Sequence, residues 1–192
     1  MSLLPARGPR SLAAPKREPL PLGAQLAQDI ALAALLGGNL FGRVAMHPAL
    51  ADVSDKRERG QVLNDAWRRY GTVNSTALLA LVGGRLVTRR RETSGRWTPS
   101  AQQTAVTIKD VAVGAVVVSG LASAASGVGF AQQAPDGAVP MDSGSEPAAE
   151  TPTRAANLKH LVNLLGGLNL AAELALVAVN AWLADGAPAR LP

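Results

Sequence analysis

The stretch VAVGAVVVSGLASAASGVGFAQQAP, residues 111–135, runs for 25 residues without a charged side chain. An α-helix rises about 1.5 Å per residue, so roughly 20 apolar residues cross a hydrocarbon core of about 30 Å. This run is long enough. Within it Ser119, Ser123 and Gly127 recur every four residues, with Gly120 and Ala124 beside them. Small side chains at that spacing let helix backbones approach closely in lipid. In a water-soluble helix each such Gly costs about 1 kcal/mol against Ala.

Working outward, a first apolar segment runs from Leu22 to Leu50, with an uncharged centre from Ile30 to Gly42. The flanking Asp29 and Arg43 then belong near the two interfaces or inside a bundle. Pro48 ends or kinks this segment. The charged stretch Asp52 to Tyr70 predicts a short extramembrane helix, Ser54 to Tyr70, capped by Ser54 or Asp52, with Val62, Leu63 and Trp67 toward the membrane or bundle. Between Arg69 and Arg85 lie 15 uncharged residues, enough for a span if Arg85 snorkels. A last apolar segment, Ala155 to Ala184, is broken by Lys159, His160, Glu173 and several Asn, and Asp185, Gly186 and Pro188 stop it.

The expectation is an all-α integral membrane four-helix bundle over residues 22–187 with one short extramembrane helix. Its spans fall at about 23–48, 70–87, 107–133 and 157–184. Residues 1–21, rich in Pro and basic side chains, read as a disordered basic tail without the cleavage pattern of a secretory signal. Residues 136–153, rich in Pro, Gly, Ser and acids, read as a flexible acidic loop.

Composition narrows the chemistry. There is no Cys, which excludes disulfides, thiolate metal sites and cysteine nucleophiles. His47 and His160 are the two histidines, so no multi-His metal site is expected, and neither a metal nor another cofactor is implied. The net charge of +5 sits in clusters beside apolar segments with almost no interleaved aromatics, which argues against nucleic acid as a partner. Trp67, Tyr70, Trp97 and Trp182 fall at span boundaries, as in an interfacial aromatic belt. With the N-terminus inside, Arg7 to Arg17, the five Arg from Arg85 to Arg96, Lys109 and Arg190 lie inside and the acidic loop outside. That predicts a multi-pass protein of the cell membrane with both termini cytoplasmic. A soluble Ala-rich helical bundle is the competing reading, favoured by the modest mean hydropathy.

Polar residues inside the apolar segments form two stripes. Asn39, Arg43 and His47 stand at i, i+4 and i+8 on one helix face, and Gly166, Asn169, Glu173 and Asn180 trace another. Antiparallel packing brings Asn39 and Asn169 to similar depth, so Gly37 and Gly38 are expected to face Gly166 and Gly167 while the Asn amides bond across the seam. Glu173 then lies near mid-bilayer and must be neutral, paired or hydrated. Arg43 is its obvious countercharge, offset by about 10 Å along the bundle.

His47-Pro48-Ala49, followed by Trp67 and Tyr70, resembles the pattern of the anthrone-oxygenase-like family of small four-helix membrane proteins, over about residues 35–80. The resemblance implies a cofactor-independent oxygenase acting on a polycyclic phenolic substrate, with His47, Trp67 and Tyr70 near the pocket. No P-loop, dinucleotide fingerprint, zincin motif or nucleophile elbow is present. Two functional classes follow. One is a non-enzymatic protein of the lipid bilayer that scaffolds or assists a membrane-protein partner. The other is a small membrane enzyme or carrier for a lipophilic small molecule, using Arg43, His47, Glu173, Trp67 and Tyr70.

Overall fold

The structure, a computed structural model, describes residues 22–92 and 100–185. The basic tail, Trp97 and residues 186–192 lie outside the described residues. Four long helices dominate: α1 (Leu22–Phe41), α2 (Lys56–Glu92), α3 (Ser100–Ala131) and α4 (Thr153–Asp185). Among the described residues no strand forms beyond one isolated bridge, Met141 to Pro147. The all-helical class is as the sequence predicts.

α1 continues past Phe41. A π-helical turn, Gly42–Met46, carries it into His47–Ala49 and a 3-10 turn, Leu50–Asp52. Pro48 gives the physical reason, since it has no N–H for the Val44 carbonyl and its ring crowds that group. The wider turn relieves the crowding, and the His47 N–H bonds the Gly42 carbonyl instead.

α2 departs from expectation. The short helix and the second span are one continuous helix of 37 residues, about 55 Å long. No Pro interrupts it, and Gly71 alone is too weak a breaker to separate the two halves. Its cap is Asp55 rather than Ser54 or Asp52: the carboxylate accepts the Arg57 and Glu58 N–H groups at 2.8 and 2.9 Å. Leu63 is buried in the core, while Val62 and Trp67 are exposed.

Among the described residues three stretches are long and apolar enough to cross a membrane: Leu22–Asp52, Gln103–Ala131 and Thr153–Leu183. α2 is not among them, in contrast to the four spans expected, because charged residues crowd its first half and arginines follow closely after its apolar middle. The surface is apolar where a water-soluble protein would be polar. Ile30, Phe41, Val44, Val118, Leu121 and Leu164 are exposed, while Gln28, Lys159, Asn169 and Glu173 are buried. Such a distribution suits a lipid environment.

α1 packs chiefly on α2 and α3 on α4, with lighter contacts between α1 and α4 and between α2 and α3. All four helices supply the central core, through Leu32 and Leu35, Leu78 and Leu81, Val113 and Val116, and Leu176. At one end Gln28 donates to the Thr88 hydroxyl, and Asp110 of α3 accepts from Arg85 and Arg89. Arg85 therefore does not snorkel; it turns inward and is 4% exposed.

At the other end, the segment expected to be a flexible acidic loop is a packed cap. Val139 and Met141 are fully buried with Leu50, Leu63, Phe130 and Ala155. The Met141 N–H bonds the Lys56 carbonyl and the Gly144 N–H bonds the His47 carbonyl. Arg59 donates to the Asp142 carbonyl, and Lys56 pairs with Asp142 and Glu150. Two apolar side chains and several backbone bonds hold the loop, and its polar composition hides them.

Candidate functional site

The seam between α1 and α4 is a ladder of polar side chains. At the lowest rung the Asn39 amide nitrogen lies 3.3 Å from the Gly166 carbonyl, 3.3 Å from Asn169 Oδ1 and 3.4 Å from Glu173 Oε2. Each is longer than an ordinary N–H···O bond of about 2.9–3.0 Å, so the donor is shared rather than committed. Asn169 reaches on to α3, donating to the Val116 carbonyl at 2.8 Å and the Ser119 hydroxyl at 2.9 Å. One amide thus ties three helices together.

The middle rung is Arg43. Its Nε donates to Asn39 Oδ1 at 3.2 Å and its Nη2 to the Asn163 carbonyl at 3.1 Å. Arg43 makes no direct ion pair with Glu173; Asn39 stands between them, accepting from one and approaching the other. The upper rung is His47, whose Nδ1 lies 3.0 Å from the Ser145 hydroxyl, while Asn163 Nδ2 donates to the Ser145 carbonyl at 2.8 Å. Lys159, one turn before Asn163 on α4, is 3% exposed, and no described residue bonds it.

Two buried polar atoms of the ladder have no partner among the described residues, His47 Nε2 and Glu173 Oε1. Glu173 is 1% exposed. A buried polar atom left unmatched costs on the order of 1–3 kcal/mol, so each marks a place where a proton, water or ligand group would be stabilising.

The glycines do not face one another. A side chain on Gly38 would run into the Tyr70 ring, and one on Gly42 into Trp67. These glycines form a track on α1 for two aromatics of α2. Gly37 has no close neighbour, and Gly166 and Gly167 lie under the Arg43 guanidinium. α1 and α4 meet lightly because Arg43 occupies the space that opposed glycines would have closed.

Tyr70 donates to the Ala34 carbonyl. His47, Trp67 and Tyr70 stack edge to face in a line, with ring centroids 5.9 and 6.0 Å apart. Beside them a groove of about 380 Å³ runs between α1 and α2, lined by Phe41, Met46, Trp67, Arg69, Tyr70 and Val73. Its size lies at the low end of small-molecule sites. Among the described residues no three His, Asp or Glu side chains gather to hold a metal ion.

No family model matches the chain, and comparison with curated proteins and with solved structures finds none similar to it. The site must be read from its own chemistry. The structure joins Asn39, Arg43, Asn169 and Glu173 in one network and His47, Trp67 and Tyr70 in one aromatic line. Asn163 and Ser145 extend the network, with Lys159 beside them, and none of the three is among the residues expected from sequence. Lys159 and Asn163 do stand one turn apart on the stripe that continues to Gly166 and Asn169, and that spacing was the available signal. Ser145, in the cap, carries no periodic signal at all.

Proposed function

We propose that the chain is a multi-pass integral protein of the cell membrane that acts as a helical scaffold for a membrane partner, with the α1–α4 ladder as its internal clasp. The observation that carries the reading is that the amides and guanidinium of the ladder link α1, α3 and α4 to one another, while apolar side chains point outward. Interhelical polar contacts of this kind hold helices together in lipid, where burial of apolar surface cannot. In this reading the helices form a four-helix bundle, and the apolar half of α2 makes the fourth crossing. Ala77, Leu78 and Leu81 support it, since they share the core with α1, α3 and α4 at one level. Both termini lie in the cytoplasm, because Arg85, Arg89, Arg90 and Lys109 gather at that end and the acidic cap lies at the other.

Cysteine-accessibility labelling tests the arrangement. A cysteine at position 142 should react with an impermeant reagent added outside intact cells, and one at position 90 should not. Labelling of 142 from the cytoplasmic side alone would reverse the orientation. Recovery of the protein in the soluble fraction after carbonate extraction would sink the membrane reading.

A second reading is supported by the His47–Trp67–Tyr70 line beside the apolar groove. It makes the chain a small membrane enzyme or carrier for a lipophilic molecule, in keeping with the anthrone-oxygenase-like resemblance and its polycyclic phenolic substrate. Replacing Trp67 and Tyr70 by Phe separates the two readings. A scaffold should keep its partner, whereas an enzyme should stay folded and lose turnover.

A further inference from the structure

The upper half of the ladder carries an excess of positive charge that the clasp does not explain. Arg43 uses two of its donors, both on neutral acceptors, Asn39 Oδ1 and the Asn163 carbonyl. Lys159 lies close enough to act electrostatically on His47 and to be acted on by Arg43, and Arg43 also acts on His47. A lysine that is 3% exposed without an acidic partner is costly, because buried Lys is almost always paired.

Among the described residues no acid pairs directly with Arg43 or Lys159. Glu173, a rung below, acts on Arg43 but approaches only Asn39 directly. Of the cap's acids, Asp142 and Glu150 pair with Lys56, and Asp136 and Glu146 are exposed. Trp67 meets the His47 ring edge to face, and the buried Nε2 has no partner among the described residues. The surrounding groups, Ser145 and the Asn163 side chain, are neutral and hold the walls in place through their own bond.

We propose that Arg43, His47 and Lys159 form a binding site for an oxyanion, the phosphate of a free ion or of a lipid headgroup, beneath the Ser143–Ser145 turn. An anion there supplies the counter-charge that Lys159 lacks, gives His47 Nε2 a partner and accepts from the unused edge of the Arg43 guanidinium. The inference goes beyond the scaffold reading and does not depend on it, since the same two cations, Arg43 and Lys159, would need an anion in a water-soluble bundle.

The test uses the full chain, purified and delipidated in an uncharged detergent, with thermal unfolding followed at constant ionic strength against a chloride control. Inorganic phosphate or phosphatidylglycerol should raise the melting temperature. A response to phosphate alone assigns the site to a free ion, and a response to the lipid alone assigns it to a headgroup. Lys159→Met should melt higher than the wild type without anion, because a buried unpaired charge is removed, and should weaken the anion response at least about tenfold. Lys159→Arg should retain it. The proposal is overturned if neither anion shifts the wild type, if Lys159→Met responds as the wild type does, or if Lys159→Met alone is destabilising in the absence of anion.

Discussion

The Asn39 amide nitrogen of α1 lies 3.3 Å from the side-chain oxygen, Oδ1, of Asn169 on α4, and the Asn169 amide nitrogen in turn donates to two groups on α3. Asn169 is thereby the point at which three helices are tied, while Asn39 is shared among three long contacts.

That asymmetry sets the first prediction. Asn169→Leu keeps the volume but strands Ser119 and Asn39, and it should cost roughly 1–3 kcal/mol of unfolding free energy in detergent. Asn39→Ala should cost less, and a double-mutant cycle between the two should give a coupling of about 0.6 kcal/mol, the usual size for such pairs in membranes. Equal losses from the two single substitutions would contradict the geometry.

The second concerns the glycines. Gly38→Ala drives a methyl group into the Tyr70 ring and should destabilise by about 1–3 kcal/mol. At Gly167 the nearest atom to an added Cβ is Arg43 Nη2 at 3.7 Å, an ordinary contact. Gly167→Ala should therefore be neutral, or stabilising by up to about 1 kcal/mol through helix propensity. Thermal unfolding of the two variants side by side decides it, and intolerance at both positions would restore the glycine-to-glycine seam.

This contrast shows what the sequence could and could not say. The stripes Asn39–Arg43–His47 and Gly166–Asn169–Glu173 were legible because helical periodicity fixes which side chains share a face, and the antiparallel register followed from counting along each apolar segment. Which partner Gly38 meets was not legible. A small residue announces a close approach without naming the neighbour, and Tyr70 had an interfacial explanation already. The cap was hidden for a different reason: Val139 and Met141 are two buried side chains in a background of Pro, Gly and Ser. The unity of α2 was hidden by its change of composition near Tyr70, which alters the surroundings of a helix without breaking it.

The third prediction is a pH dependence at the junction of the cap and α2. The Glu58 and, after it, Arg57 N–H groups hold the Asp55 carboxyl below its ordinary value of 3.8. Its contribution is therefore complete above 3.8 and is lost as pH falls through the lower folded value. Hydrogen bonding to Asp142 raises Lys56 above 10.5. Its contribution is complete below 10.5 and fades as pH rises through the higher folded value. Hydrogen exchange of the first turn of α2 should accelerate, after correction for intrinsic rates, toward both limits. Asp55→Ala should abolish the acid limb alone, and Lys56→Met the alkaline limb alone. Both groups are exposed, so high salt should blunt the Lys56 effect first.

The last prediction addresses Glu173, which is 1% exposed, with Oε2 near Asn39 and Oε1 bonded to no described residue. An ionised carboxylate in such a place carries a desolvation cost of several kcal/mol unless a cation meets it directly. Arg43 does not, because Asn39 lies between them. The side chain should therefore be tolerated better as an uncharged group of the same shape. Glu173→Gln keeps an acceptor for Asn39 and removes the charge, and it should leave unfolding at neutral pH unchanged or raise its free energy by up to about 2 kcal/mol. Glu173→Ala opens a cavity beside Leu176 and should cost about 2 kcal/mol or more. The comparison turns on the sign for Gln. A marked loss in Glu173→Gln, comparable to that in Glu173→Ala, would mean that the charge itself is used, with Arg43 acting on it through the Asn39 amide. Reversal of that loss by Arg43→Gln would then identify the pair, and the clasp would have to be redrawn as an ion pair with an amide bridge.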